Sequence, residues 1–331
     1  MCTAATYRSD HFYFGRNLDY EFGYGERVLV IPRNFPFTFK HMPDKPTHYA
    51  MIGMGIVENG YPHLFDGMNE KGIGMAGLNF VGNAVYHPVK EGKNNIAQYE
   101  FMNYVLSSCG TMDEVRELLS NMNLDDETYS DAFPVAQLHW IIASETDCVV
   151  VESMKDGLHV HDNPIGVLTN NPPFETQRFL LNQYMSLSNR QPVNTFGKEA
   201  ELSTYSRGMG TIGLPGDLSS SGRFAKVAFT KLNASHAEGE TESVAQFFHI
   251  LHSVEQQKGC CEVAEGKYEY TIYSSCMDTN TGTFYYTTYN NPSITGVNMH
   301  DCDLEGTTIY QCAVESVQTI NMRTANMRTA K

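Results

Sequence analysis

At 331 residues, with 41% hydrophobic, 11% aromatic and only 18% charged side chains, the chain can build a sizeable packed core, which excludes a disordered chain, a coiled coil and a collagen-like repeat. Acidic residues outnumber basic ones 38 to 23, for a formal net charge of −15, and no run of Lys and Arg supplies the clustered cations that phosphate neutralisation needs, so no nucleic-acid partner is expected. No stretch approaches the unbroken apolar length of a membrane span, and the first residues lack a charged segment leading into an apolar run, so neither a membrane partner nor an export signal is expected.

The predicted elements begin with strands. Thr3–Tyr7 and Phe12–Phe14 flank Arg8-Ser9-Asp10-His11, a hairpin connection, and Arg27–Pro32 is a further apolar run. Met51–Val57 and Gly72–Phe80 read as glycine-rich strands, and Pro62–Glu70 as a strand entering a turn. A helical block follows. Asn95–Ser107 carries Ile96, Tyr99, Phe101, Met102, Val105 and Leu106 at helical spacing. Thr111-Met112-Asp113-Glu114 forms a capping box opening a helix that buries Met112, Val115, Leu118 and Leu119. Asp125–Pro134 is a polar loop with Tyr129 and Phe133 embedded in it.

Strands resume at Leu138–Ala143, Cys148–Ser153, Leu158–His161 and Val167–Thr169. Thr176–Ser186, Phe224–Leu232 and Glu242–Val254 have helical spacing, with a glycine-rich stretch at Gly208–Gly216 between the first two. Tyr268–Cys276 and Thr283–Tyr289 are aromatic, β-branched strands expected to pair. The pentapeptide Asn-Met-Arg-Thr-Ala occurs at 321–325 and again at 326–330, which marks a frayed tail over 321–331. Strands, helices, strands, helices, strands is not the alternation of a doubly wound sheet. It predicts an α+β layered sandwich of antiparallel sheets between helices, forming one domain over residues 2–320.

Eight cysteines, Cys2, Cys109, Cys148, Cys260, Cys261, Cys276, Cys302 and Cys312, include no C-x-x-C pair, so reduced thiols in a cytoplasm are expected. Cys2 carries the most information. A small second residue permits removal of Met1, leaving a cysteine with a free α-amine. That amine titrates near ~7.7–8.0 and a thiol near ~8.5, so one residue would hold a nucleophile and a base. Phe14-Gly15-Arg16-Asn17-Leu18-Asp19 follows one hairpin later. Pairing of Cys2–Tyr7 with Phe12–Asp19 would bring Arg16 and Asp19 near the cysteine, where a guanidinium favours thiolate over thiol. Taken alone, the two residues read better as a surface Arg–Asp pair, worth ~0–1 kcal/mol.

These motifs belong to an ordered set: Met1-Cys2-Thr3-Ala4, Phe14 to Asp19, Asn69-Glu70-Lys71-Gly72 with Ala76-Gly77-Leu78-Asn79-Phe80, Leu138-His139-Trp140, Gly166-Val167-Leu168-Thr169-Asn170, and Gly213-Leu214-Pro215-Gly216-Asp217 with Gly222-Arg223-Phe224. Together they resemble the choloylglycine hydrolase family of N-terminal nucleophile hydrolases, over essentially the whole chain apart from the last dozen residues. The resemblance implies a four-layer αββα sandwich and an amidase acting through a thioester on Cys2. It implies Cys2 as nucleophile, Arg16 and Asp19 as the charged residues flanking it, Asn79 and Asn170 as oxyanion-stabilising residues, and Arg223 as a second active-site arginine. Asn79 points to the bile salt branch, since the penicillin V branch typically has Tyr there.

The implied substrate is then a conjugated bile salt. Leu18, Phe65, Tyr129, Phe133 and Leu138 fall on the sterol-contacting loops, and Glu58 stands where some relatives have an apolar residue. Arg207, in Ser206-Arg207-Gly208, matches a loop associated with taurine conjugates and supplied by a neighbouring subunit of a homotetramer. No metal or cofactor is implied, and no histidine pair has H-E-x-x-H spacing. A penicillin V acylase and a non-catalytic bile-acid-binding homologue are the alternatives.

Overall fold

The computed structural model describes residues 1–323. The first part of the chain forms β1 (Cys2–Arg8), β2 (Phe12–Tyr20), β3 (Arg27–Ile31), β4 (Met51–Glu58), β5 (Tyr61–Asn69), β6 (Gly74–Asn79) and β7 (Asn94–Ala97), then α1 (Phe101–Ser108) and α2 (Met112–Ser120). The middle forms β8 (Met122–Asp125), β9 (Leu138–Ala143), β10 (Cys148–Met154), β11 (Gly157–Asp162), β12 (Val167–Leu168), α3 (Phe174–Leu180), α4 (Ser220–Asn233) and α5 (Gly239–His252). The last part forms β13 (Cys261–Ala264), β14 (Lys267–Asp278), β15 (Thr283–Thr288), β16 (Asn291–Asn298) and β17 (Tyr310–Ala313).

One antiparallel sheet has the order β12-β1-β2-β14-β15-β16, with β13 added to β14; the other runs β11-β10-β9-β6-β5-β4-β3-β17. Side-chain alternation explains the layering. In β3, Val28 and Val30 enter the core shared with the first sheet, whereas Leu29 and Ile31 enter the core under α1 and α2. Ile141 and Ile142 of β9 divide in the same way. The inner strands of the second sheet are therefore buried on both faces, which is why β3 and the middle of β10 read as continuous apolar runs. Phe14 faces the second sheet, its ring against Gly74 of β6, and the other face of the first sheet is covered by the helices, with Phe247 of α5 lying over Gly15 and Val227 of α4 buried in the same core. The result is the αββα arrangement: helices, sheet, sheet, helices.

Gly15 is needed for that packing. A Cβ there would stand 2.0 Å from the Ser275 carbonyl oxygen and 2.9 Å from the Phe247 ring. The capping box is present as expected: Thr111 Oγ1 accepts the Glu114 N–H at 3.2 Å, and Glu114 Oε2 accepts the Thr111 N–H at 3.1 Å. The helix it opens buries Met112, Val115 and Leu119, with Leu118 partly covered.

Some expectations need correction. The helix expected over Asn95–Ser107 begins only at Phe101; Asn94–Ala97 is instead a strand paired in parallel with β8. Asn95 holds it there, accepting the Lys90 N–H at 2.8 Å and donating to the Lys93 carbonyl at 3.0 Å. The helix expected over Thr176–Ser186 starts at Phe174 and tightens to a 3-10 turn after Leu180. Strands β13 and β17 are short and largely exposed, so no apolar alternation announced them. Among the described residues no helix is long and apolar enough to cross a membrane. The second copy of the tail pentapeptide, 326–330, lies outside the described residues.

Candidate active site

The β1–β2 hairpin creates the site by register. Cys2 faces Leu18 and Ala4 faces Arg16, so Cys2 and Arg16 are diagonal neighbours on one face of the sheet. Arg16 Nη2 donates to Cys2 Sγ. The same guanidinium is fixed by Nη1, which donates to the Gly77 carbonyl at 2.6 Å and the Phe65 carbonyl at 3.2 Å. Burial alone would lower the pKa of this cation, but Cys2, Tyr273, Asp66 and Asp19 outweigh it and raise the value. Asp66 is itself buried, and it accepts hydrogen bonds from Tyr273 and, at 2.6 Å, from Ser275.

Asp19 lies three residues along β2 from Arg16 and so points to the opposite face. It is fully buried, accepting from Thr271 Oγ1 at 2.6 Å and Gln256 Nε2 at 3.3 Å, and its Oδ2 is 3.7 Å from Arg223 Nη1. The two charged residues thus flank Cys2 from two sides, and Asp19's ion-pair partner is Arg223. Arg223 extends from the first turn of α4, whose N-cap is Ser219. It donates to the Cys2 carbonyl at 2.6 Å, Thr3 Oγ1 at 2.5 Å and Asn170 Oδ1 at 2.8 Å.

Asn170 completes the cluster. Its Oδ1 accepts the Cys2 N–H at 2.7 Å, and its Nδ2 donates to the Asn79 carbonyl at 2.8 Å. Asn79, at the end of β6, is tied to the cluster through its backbone, and its side-chain amide is left to act elsewhere. Met1 caps the strand: its amine donates to the Asp19 carbonyl at 2.7 Å and pairs with Glu269. Burial raises the Glu269 pKa, and the charge of the chain's amine opposes the rise.

A buried pair supports Asn170 from beneath. His139 Nε2 meets the Thr169 carbonyl at 2.8 Å, and its Nδ1 is 3.0 Å from Glu152 Oε1, which also accepts the Phe174 N–H at 2.9 Å. Burial alone would raise the Glu152 pKa, but the His139 hydrogen bond, the His161 imidazole 3.5 Å away and the Phe174 N–H bring it to about 2. An unfolded glutamate titrates at ~4.3. A depressed folded value means that the stabilisation is complete above that pH and is lost as pH falls towards 2. Glu152→Gln should cost about 3 kcal/mol in urea unfolding at neutral pH, with the gap to wild type shrinking through the acid range. A gap of equal size at both ends would show that the carboxylate charge contributes nothing.

The expected acyl-binding residues are placed less uniformly. Leu18 is buried opposite Cys2, and the Phe65 ring lies 5.4 Å from Tyr24. Tyr129 and Phe133 pack on His63, at 4.6 and 5.4 Å, and Tyr129 donates to the Glu58 carbonyl at 2.8 Å. Glu58 thus meets this loop through its backbone. Leu138 packs into the core under α1, on the face of β9 opposite His139. Arg207 is exposed and stands apart from the cluster. Sequence reasoning missed the aromatic run Tyr20-Phe22-Tyr24, whose rings continue to Phe65, and missed His63. The density of aromatics within Tyr20–Gly25 was the available signal.

Over residues 2–312 the chain matches the family described as "Linear amide C-N hydrolases, choloylglycine hydrolase family". It is 48% identical over 316 residues to the "Bile salt hydrolase/transferase" of Lactiplantibacillus plantarum, an alignment covering 96% of this chain and 98% of that protein. It is 40% identical to the "Conjugated bile acid hydrolase" of Lactobacillus acidophilus, covering 86% of this chain and 92% of the relative. Among solved structures, the C2A mutant of the conjugated bile acid hydrolase from Clostridium perfringens superposes with a TM-score of 0.91 at 37% identity, covering 98% of this chain and all of that one.

Proposed function

We propose that this chain, which belongs to the choloylglycine hydrolase family of linear amide C–N hydrolases, hydrolyses the amide bond of conjugated bile salts through a thioester on Cys2. The observation that carries the reading is the double hold on one residue: the Arg16 guanidinium donates to the Cys2 sulfur, and the Asn170 side-chain Oδ1 accepts from the Cys2 nitrogen. Removal of Met1 turns that nitrogen into an α-amine already oriented by Asn170. The amine takes the thiol proton, directly or through water, and Arg16 stabilises the negative charge on sulfur. Sulfur attacks the amide carbonyl. Asn170 Nδ2 has two protons and spends one on the Asn79 carbonyl. The other proton, with the Asn79 side-chain amide, meets the oxyanion, where each donor is worth ~3 kcal/mol. The amine then protonates the leaving amino acid, and water cleaves the thioester. Asp19 and Arg223 hold the strand and Asn170 in register.

The direct test is a release assay with glycocholate, taurocholate and penicillin V. Free glycine and taurine are expected, with little 6-aminopenicillanic acid; release of the latter alone would overturn the bile salt reading. Arg207 favours the taurine conjugate, since a guanidinium matches the three acceptor oxygens of a sulfonate. The ratio of kcat/KM for taurocholate over glycocholate should therefore fall in Arg207→Ala, and an unmoved ratio would remove Arg207 from recognition.

Phe65, Tyr129 and Phe133 supply apolar area for the steroid, along with Leu18 beside the nucleophile. Phe133→Ala should raise KM roughly 10-fold for every conjugate at little cost in kcat, as losing ~1.5 kcal/mol of apolar contact requires. Unchanged KM values would separate the loop from the substrate. Leu138 contributes by backing the strand that carries His139.

The protein acts as a cytoplasmic homotetramer. Supporting assembly, Met185, Phe196 and Tyr205 are 83–86% exposed on one irregular segment, the segment that also carries Arg207. Supporting a reducing compartment, all eight cysteines are free. Light scattering of the purified chain and fractionation of its cells test the two statements; a monomer, or an extracellular product, would contradict them.

A further inference from the structure

Outside this site, a second cluster of polar side chains gathers where the loop bearing Tyr129 and Phe133 leaves β8. Asp125 ends that strand, Glu127 follows it, and His41 reaches both from the long connection between β3 and β4. His41 Nε2 is 3.0 Å from Glu127 Oε2 and 3.6 Å from Asp125 Oδ2, and the three ligand atoms lie within 4.8 Å of one another. Asp125 is 2% exposed. One of its oxygens accepts the Glu127 N–H at 3.0 Å, but Oδ2, the oxygen turned towards His41, has no hydrogen-bond donor. A buried carboxylate oxygen without a donor is costly, and native structures satisfy it with a proton donor or a cation.

The surroundings add negative charge. Glu100 is 1% exposed, and its Oε2 also lacks a donor, while its Oε1 accepts the Lys40 N–H at 2.9 Å. The Lys40 ammonium is engaged by the other oxygen of Glu127, at 2.9 Å, and so leaves Asp125 uncompensated. The imidazole nitrogen stands 3.0 and 3.6 Å from the two carboxylate oxygens, near the spacing of adjacent ligands on one metal. Metal–ligand bonds of 2.0–2.2 Å place neighbouring ligands about 3.0–3.5 Å apart. One imidazole nitrogen and two carboxylate oxygens suit Zn²⁺ or Mn²⁺ rather than the all-oxygen shell of Ca²⁺ or a thiolate site.

We propose that His41, Asp125 and Glu127 bind one divalent transition cation of the Zn²⁺/Mn²⁺ class, which ties the start of the Tyr129–Phe133 loop to the β3–β4 connection. The cation is structural and takes no part in amide cleavage, and the proposal stands independently of the function assigned above. Titration calorimetry of the chelator-stripped full chain with Zn²⁺ should show one saturable equivalent assigned to this cluster. His41→Ala and Glu127→Gln, both at partly exposed positions, should keep wild-type circular dichroism and weaken that equivalent at least 10-fold. Co²⁺ should give visible bands of nitrogen–oxygen ligation without a thiolate charge-transfer band, which separates this site from the eight cysteines. Zn²⁺ should also raise the Tm of the wild type more than that of His41→Ala. No saturable binding, binding unchanged by either substitution, or a Co²⁺ signal made up of thiolate bands alone would overturn the proposal and leave the cluster as an ion pair.

Discussion

Cys2→Ser is expected to lower bile salt hydrolysis at least ~10³-fold while leaving the fold intact, because loss of the nucleophile removes the covalent step and leaves only binding and oxyanion contacts. Serine is nearly isosteric with cysteine, so the β1–β2 register and the Asn170 contact to the Cys2 nitrogen should persist. A hydroxyl, however, is a far weaker acid than a thiol, and the α-amine beside it is too weak a base to compensate. Arg16 would still direct an N–H at the side chain, but towards an atom that carries little charge. The measurement is kcat/KM for taurocholate on homogeneous protein, with circular dichroism and urea unfolding to confirm the fold. Hydrolysis within a few-fold of wild type would remove Cys2 from the chemistry.

The second large effect concerns the chain's own amine. An extension before Cys2 that the cell cannot remove should abolish turnover, with a loss of at least ~10²-fold, the usual contribution of a positioned general base. With Met1 in place, the Cys2 nitrogen is an amide that donates to Asn170 Oδ1 at 2.7 Å, and it has no lone pair free to take a proton. The Met1 amine lies instead against the Asp19 carbonyl and Glu269. Losing Met1 also leaves Glu269, 6% exposed, without its cationic partner, so processing alters charge as well as covalent structure beside the nucleophile. The check is activity of a chain whose retained extension is verified by intact mass, beside the same chain after proteolytic release. Equal activities would show that the amine is not the base.

What the sequence disclosed, and what it withheld, follows from the range of the interactions. The hairpin from Cys2 to Asp19 is local, and strand alternation alone puts Arg16 on the Cys2 face and Asp19 on the other. The capping box at Thr111 and strand β9 were equally legible, since each is decided by residues a few positions apart. Strand β7 was not, because Ile96 and Ala97 extend by pairing with β8, twenty-odd residues later, and helical spacing continues unbroken into α1. The supporting cast of the site was hidden for the same reason. Glu152 reaches Phe174, Tyr273 and Ser275 reach Asp66, and Glu269 reaches the first residue, each across a span that no local pattern records. Asn170 and Arg223 could be nominated only by motif resemblance. Their joint hold on Asn170 Oδ1, the Cys2 nitrogen and the Cys2 carbonyl emerges from the fold.

The most direct test of the account is to trap the covalent intermediate. The purified chain is mixed with excess taurocholate, acid-quenched on the millisecond scale, digested, and its N-terminal peptide weighed by mass spectrometry. The account predicts a peptide that begins at Cys2, lacks Met1 and carries the mass of one cholyl group as a hydroxylamine-sensitive thioester on that cysteine. An active preparation whose N-terminal peptide retains Met1, or whose acyl adduct sits on any residue other than Cys2, would contradict it.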